Sequence, residues 1–176
     1  MSEQSARYQR SPSGLLAALG VLLVVVLGWV GVRGLLLPDQ SAPEQRVDYA
    51  QLVPQVRKTA RFDLVAPRRL PAGWHATSVR FTPAPVQHWH LGVLTDRERY
   101  VGLEQGPQST REALDRYVDS AATRGAPVTV RGATWSTYTD SAGDLAFVRH
   151  EGRATTLVVG HAVGRSQLRS YVAGLR

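Results

Sequence analysis

The hydrophobic pattern divides the chain into one long apolar run and a region of short alternating segments. Residues 14–32, GLLAALGVLLVVVLGWVGV, are nineteen residues without a charged side chain. As a helix they would extend about 28 Å, close to the hydrocarbon thickness of a bilayer. Arg33 follows, and the apolar character resumes until Pro38. The pattern predicts a transmembrane helix over residues 14–37.

The predicted anchor is mainly aliphatic, with a tryptophan near its outer end, where indoles favour the headgroup region. Its apolar residues include Leu15, Leu16, Leu22, Leu23, Val24, Val25, Val26, Leu27 and Trp29. Arg7 and Arg10 precede the run, and only Glu3 opposes them. The positive-inside rule therefore places residues 1–13 in the cytoplasm and the C-terminal domain outside the cell. We expect a single-pass cell-membrane protein that contacts the lipid bilayer through this helix.

A cleaved signal peptide is the alternative interpretation of the apolar run. Secretory signals have an apolar region of roughly 7–15 residues followed by a cleavage site between small residues. The run in this chain is longer and no clean site follows it. These features favour an uncleaved anchor.

Glycines form a stripe within the predicted anchor. Gly28, Gly31 and Gly34 recur at every third residue. Small residues on one side of a membrane helix let a second helix approach closely. A homodimer through the transmembrane helix is one expectation, and the other is that glycine is simply common in such helices.

Beyond the apolar run, the chain changes to a linker and then to a folded domain. Residues 38–46, PDQSAPEQR, are polar and contain two prolines, as juxtamembrane linkers do. Residues 47–60 have apolar positions at helical spacing, but Pro54 interrupts them, so a short or broken helix is predicted there. We assign residues 38–60 to the linker and residues 61–176 to an extracytoplasmic domain.

The outer domain alternates between strand-like and helical patterns. Strands are predicted at 62–65, 74–82, 86–94, 100–105, 127–131, 133–138, 144–150 and 154–161. Helices are predicted at 109–124, where Ser109 and Glu112 suit a capping box, and at 165–175. The last two strands have apolar residues on both faces and are expected to be central. This order predicts an α+β fold, an antiparallel sheet with two helices packed on one face.

The charge distribution and the absence of cysteine exclude several functional classes for this chain. The chain has no cysteine, which excludes disulfides, thiol catalysis and cysteine-ligated metals. The formal net charge is +7, with 18 basic and 13 acidic residues from Pro38 onward. The arginines are scattered, and neither a basic stripe nor a nucleic-acid-binding motif is present. We therefore predict no nucleic-acid partner.

The strongest chemical signal lies in residues 86–105, VQHWHLGVLTDRERYVGLEQ. Apolar faces stay together if the loop between the strands has five residues, which pairs His90 with Glu104, or three, which pairs His88 with Glu104. In both registers a histidine meets a carboxylate across the strands. The candidate binding face consists of His88, His90, Gly92, Tyr100, Gly102 and Glu104.

Three interpretations of this face remain open. The first is that the carboxylate holds a histidine in place, and the second is that the face binds a partner that approaches closely over the two glycines. The third is catalysis or metal binding, since His-x-His on a strand can supply two zinc ligands and Glu104 a third. The spacing of His75, His150 and His161 indicates no further ligands. No serine elbow, phosphate loop or His-Glu-x-x-His motif occurs, so no catalytic residue, metal ligand or cofactor is assigned.

Four segments carry a family resemblance. They are LPAGWHATSVRF, WHLGVLTDRERYVGLEQ, VRGATWSTY and TTLVVGHAVGRSQLRSYVAGLR. They resemble the actinobacterial domain of unknown function 4245 family, and the resemblance covers nearly the whole chain. It implies a short cytoplasmic N-terminus, one membrane helix and an outer α+β domain, without an assigned activity. The turn Thr95-Asp96-Arg97-Glu98 departs from the Thr-Pro turn common in relatives.

These observations lead to three hypotheses about function. The first is a non-enzymatic membrane protein whose outer domain binds a protein or a cell-envelope component. The second is a metal-dependent or His/Glu acid–base enzyme of the envelope. The third is a structural accessory subunit of a membrane complex, held by its helix.

Overall fold

The computed structural model describes residues 46–176. The predicted cytoplasmic segment at 1–13 and the predicted anchor at 14–37 lie outside the described residues. Among residues 46–176, no helix is both long enough and apolar enough to span a membrane.

Three helices and eight strands make up the described domain. The helices are α1 (Tyr49–Thr59), α2 (Thr110–Tyr117) and α3 (Arg165–Ala173). The strands are β1 (His75–Thr82), β2 (His88–Leu94), β3 (Tyr100–Gly106), β4 (Thr123–Arg124), β5 (Val128–Val130), β6 (Ala133–Thr139), β7 (Leu145–Glu151) and β8 (Ala154–Gly160).

The strands form one antiparallel sheet in the order β1-β2-β3-β8-β7-β6-β4, with β5 paired to β6. The predicted α+β class and antiparallel sheet are confirmed. Strand β8 lies between β3 and β7, and Leu157, Val158 and Val159 are all buried on it. The prediction that the last two long strands are internal is therefore also confirmed.

Hydrophobic cores lie on both faces of the sheet. One contains Trp89, Phe147 and Val158 together with side chains of α1 and α3. The other contains Leu157 and neighbouring residues of β7 and β8, covered by side chains of α2. Helices α2 and α3 therefore pack on opposite faces, and the prediction that both lie on one face is wrong. Central strands with apolar side chains on both faces need a cover on each side.

Helix α1 lies inside the segment that the sequence assigned to the linker. Asp48 caps it by accepting a hydrogen bond from the Ala50 backbone N–H, at 3.1 Å. Tyr49 and Val56 are buried in the core, and Pro54 sits within the helix without breaking it. Burial of the apolar stripe outweighs the local cost of proline, so the described part of the predicted linker packs as part of the domain.

Helix α2 is shorter than the predicted helix at 109–124. Its start is as predicted, because the Ser109 N–H donates to Glu112 Oε2 at 2.8 Å and the Glu112 N–H donates to Ser109 Oγ at 3.2 Å. Its end is not, since the helix stops at Tyr117 and residues 123–124 pair with β6 as β4. Strand pairing with β6 replaces the last helical turns. The strand predicted at 62–65 is also absent from the described domain.

Candidate functional site

The β2–β3 hairpin positions the candidate face. His90 is paired with Glu104, Gly92 with Gly102, and Leu94 with Tyr100. This is the register of the predicted five-residue loop. Thr95 is 2% exposed and fixes that loop, because its Oγ1 accepts the Arg99 backbone N–H at 3.0 Å. The structure brings all six predicted residues together on one face of the sheet.

Glu104 is the centre of this face. Its side chain is 6% exposed, with Oε1 2.6 Å from His90 Nδ1 and Oε2 3.2 Å from His88 Nε2. The sequence predicted one histidine contact per register, but His88 reaches the same carboxylate from the diagonal position two residues along the strand. Burial raises the pKa of Glu104, but hydrogen bonds from His88 and His90 and their charge outweigh it, so the pKa lies below its usual value. Glu104 is therefore ionised at neutral pH.

Ser78 adds a third group that the sequence did not single out. It lies on β1, and its Oγ is 2.8 Å from His90 Nε2. The β1–β2 register shifts between Ala76 and Ser78, and such a bulge re-aims the side chains that follow it. Local alternation along β1 carries no signal for this shift, so the contact could not be read from the sequence.

The ionised carboxylate fixes the proton on His90. An ionised Glu104 can only accept, so His90 Nδ1 carries a hydrogen and donates to it. In the neutral ring, Nε2 is then the acceptor that faces the Ser78 hydroxyl. Ser78, His90 and Glu104 thus form a row across three adjacent strands, in which a proton can pass from oxygen to ring nitrogen.

Tyr117 joins the face from helix α2. Its hydroxyl is 2.9 Å from His88 Nε2, and the two rings stack with centroids 5.6 Å apart. Burial raises the pKa of Tyr117, although a hydrogen bond with Arg116 opposes the rise. The hydroxyl is therefore protonated at neutral pH. Tyr117 and His88 are 29 residues apart in the chain, so only tertiary packing brings them together.

The paired glycines make room for side chains of the same domain. A Cβ at Gly92 or Gly102 would lie 3.1 Å from the Tyr100 ring, and one at Gly92 would also collide with Ser78 Oγ. Both glycines are buried. The expectation of open backbone for an incoming group is thus not met, because Tyr100 and Ser78 already fill that space. Burial and the charge of Glu104 raise the pKa of Tyr100.

Metal binding finds no support in the geometry of the described residues. His88 and His90 direct nitrogens at Glu104 itself rather than around a shared point. His150 Nδ1 lies 2.9 Å from Thr155 Oγ1, and His161 Nδ1 lies 2.5 Å from Asp144 Oδ2. Among residues 46–176, no group of three or more histidine or acidic side chains is arranged to hold a metal ion.

Comparison with known proteins assigns the chain to a protein family. A search of curated proteins found no match. The model of a family described as a protein of unknown function, DUF4245, matches residues 7–175. This match includes every strand of the sheet and the whole candidate face. The chain therefore belongs to the DUF4245 family.

Proposed function

We propose that the chain is a membrane-anchored protein whose outer domain binds a protein or cell-envelope component through the face around His88 and His90. One observation carries the proposal. The two imidazole rings are held by a buried, ionised carboxylate, yet their side chains stay 21% and 22% exposed. Groups that are fixed before binding lose little conformational freedom when a partner arrives.

The chemistry of the face suits a partner with hydrogen-bond acceptors. Tyr100 and Tyr117 are neutral hydroxyls at physiological pH, because burial raises the pKa of both. Arg80 is paired with His90 across β1 and β2 and is exposed, so it adds a positive charge to the same face of the sheet. Guanidinium groups bind carboxylates and phosphates with two parallel hydrogen bonds. A partner with acidic groups at its contact surface fits this arrangement.

The membrane anchor is the other part of the proposal. It is supported by the nineteen uncharged residues at 14–32 and by Arg7 and Arg10 before them. The positive-inside rule then directs the domain outward. A domain held at the membrane meets envelope partners at a high local concentration, which increases the occupancy of a weak site.

Co-purification from native membranes tests this proposal. We would compare the tagged full-length protein, a chimera with residues 14–37 replaced by an unrelated membrane helix, and the double variant His88→Ala/His90→Ala. The expected result is a partner that the chimera retains and the double variant loses at least tenfold, or roughly 1.4 kcal/mol. His150→Ala is the matched control, because His150 contacts Thr155 instead of Glu104. Loss of the partner from the chimera alone would identify the anchor as the interface and contradict the proposal.

Serine-dependent hydrolysis of an acyl ester is a second candidate function, and the Ser78–His90–Glu104 row favours it. The distances are 2.8 Å from Ser78 Oγ to His90 Nε2 and 2.6 Å from His90 Nδ1 to Glu104 Oε1. Ser78 has the place of the nucleophile, His90 that of the base and Glu104 that of the orienting carboxylate, which is the order found in hydrolytic triads. His90 would take the Ser78 proton as Oγ attacks the ester carbonyl, and would then protonate the departing alcohol. In the second half of the reaction, His90 would take a proton from a water molecule that attacks the acyl-Ser78 ester. His90 would return this proton to Ser78 Oγ as the carboxylic acid leaves.

A fluorophosphonate probe tests this second candidate, because it labels serines activated by a base. If the row is catalytic, the full-length protein should label at Ser78, and Ser78→Ala should lower labelling and hydrolysis of a short acyl ester at least tenfold, about 1.4 kcal/mol of barrier. Ser166→Ala provides the control, since Ser166 is exposed at the start of α3. Equal labelling of the wild type and Ser78→Ala would rule out Ser78 as the nucleophile.

A further inference from the structure

We infer that a cavity on the other face of the sheet binds an anionic amphiphile, a phosphate or carboxylate group attached to an apolar body. The cavity has a volume of about 630 Å³, within the usual size of small-molecule sites. The sheet separates it from the His88–His90 face, so this inference does not depend on the function proposed above.

The cavity lies between the sheet and the C-terminal ends of α1 and α3. Its apolar lining includes Val130, Ala133, Trp135, Val172 and Leu175. Trp135 is otherwise buried in the core, so the lining continues the hydrophobic interior toward solvent. A hydrocarbon group placed against it would be removed from water, which favours binding.

A buried amide fixes one wall of the cavity. Gln105 is 3% exposed, and its Oε1 accepts the Val65 N–H at 3.0 Å while its Nε2 donates to the Asp63 carbonyl at 2.9 Å. These contacts hold residues 63–65 against the sheet. The wall is therefore formed before any ligand binds, which lowers the entropic cost of binding.

Positive charge dominates the polar lining. Five arginines and two acidic residues line the cavity, which leaves a surplus of three positive charges. They are Arg57, Arg61, Arg131, Arg149 and Arg153, with Asp63 and Glu151. An adjoining cavity of about 340 Å³ shares Arg57 and adds two further arginines.

Most of these arginines already have fixed positions. Arg149 Nη2 pairs with Glu151 at 2.6 Å, and Arg57 Nη2 donates to the Arg176 carbonyl at 2.5 Å. Arg131 Nη1 donates to the Ala173 carbonyl at 3.4 Å. Arg61 and Arg153 are exposed at the rim. The guanidinium groups of Arg61 and Arg153 can therefore bind the anionic group of a ligand at the rim while its apolar body enters the cavity.

The combination of charge and apolar lining selects the ligand class. Guanidinium groups recognise phosphate and carboxylate with matched pairs of hydrogen bonds. Inorganic phosphate would use the arginines but leave the partly exposed Ala133 and Leu175 in contact with water. An uncharged alcohol would use the apolar lining but leave the positive surplus unpaired. A ligand with both parts uses the whole cavity.

Calorimetric titration of the full-length protein in a non-ionic detergent tests the inference. Hexyl phosphate is the probe, inorganic phosphate represents the free anion, and hexanol represents the apolar body. We expect hexyl phosphate to bind at least tenfold more tightly than either control ligand, after subtraction of a protein-free micelle blank. Arg61→Gln/Arg153→Gln should weaken hexyl phosphate at least tenfold in low salt, and Arg165→Gln, an exposed change on α3, should stay within twofold.

A second variant separates the apolar part from the charges. Ala133→Leu adds volume to the lining without changing charge, so it should weaken hexyl phosphate and leave inorganic phosphate unaffected. Three results would overturn the inference: no binding of hexyl phosphate, equal binding by the double arginine variant and Arg165→Gln, or inorganic phosphate binding as tightly as hexyl phosphate. The last would reduce the cavity to a simple anion site.

Discussion

Replacing Trp89 by alanine is expected to lower the free energy of unfolding by about 3–5 kcal/mol. The Trp89 side chain is fully buried and is the largest such side chain among the described residues. It lies on β2 between Phe81 of β1 and Gln105 of β3. Truncation removes the transfer free energy of the indole and leaves a cavity that two hydrogen-bonded neighbouring strands cannot close. A loss of this size approaches the whole stability of many domains.

Urea unfolding followed by circular dichroism measures this loss, and two further variants calibrate it. Trp89→Phe keeps an aromatic ring and removes an indole N–H that has no hydrogen-bond partner, so it should lose less than half as much. Val86→Ala changes a side chain that is 60% exposed and should stay within about 0.5 kcal/mol of the wild type. A loss below about 1 kcal/mol for Trp89→Ala would contradict the position of this residue in the core.

Replacing Glu104 by alanine is expected to cost about 1–3 kcal/mol at neutral pH. The carboxylate is buried and contacts both His88 and His90. Its removal leaves His90 Nδ1 without its acceptor and interrupts the row that begins at Ser78. The same variant should weaken partner binding under the first proposed function and ester hydrolysis under the second, because both need the His90 ring in a fixed orientation.

The pH dependence of stability distinguishes the charge of Glu104 from its packing. Its folded pKa lies below the ordinary value of 4.5, so the unfolded chain takes up a proton first as the pH falls. The stabilisation by the carboxylate is therefore complete above about pH 4.5 and is lost as the pH falls through the folded pKa. Glu104→Gln, which resembles the protonated acid, should differ from the wild type above that range and converge with it below.

A control variant at a second glutamate shows whether the change in the pH profile is specific to Glu104. Glu98 lies exposed in the loop between β2 and β3, so Glu98→Gln should leave the pH profile unchanged. If Glu104→Gln followed the wild-type profile at every pH, the charge of Glu104 would contribute nothing to folding. The face would then be held by packing alone.

The hairpin that carries the candidate face could be predicted in detail. Apolar residues alternate on both strands, and a one-residue slip would place Leu91 and Leu103 on opposite faces of the sheet. This constraint left two registers, and the loop fixed by Thr95 selected one of them. Local pattern thus predicted that a histidine would meet Glu104, because strand faces have a strict period of two, and the structure decided that the directly paired residue is His90.

Other features failed to follow from local pattern because distant segments decide them. Pro54 predicts a helix break, but burial of Tyr49 and Val56 keeps α1 continuous. The helical pattern after Tyr117 gives way to pairing between residues 123–124 and β6. The side of the sheet that each helix covers also has no local signature, since a helix needs only some apolar surface to pack against.

The sequence by itself determined the secondary structure of the hairpin, the capped start of α2, the central position of β8 and the six residues of the candidate face. Periodicity and capping act over a few residues, so they can be read directly. The tertiary structure alone decided that Ser78 meets His90, that Tyr117 meets His88, and that arginines from separate segments surround one cavity. Such contacts join residues far apart in the chain, and they depend on a strand bulge, on helix placement and on packing across the sheet.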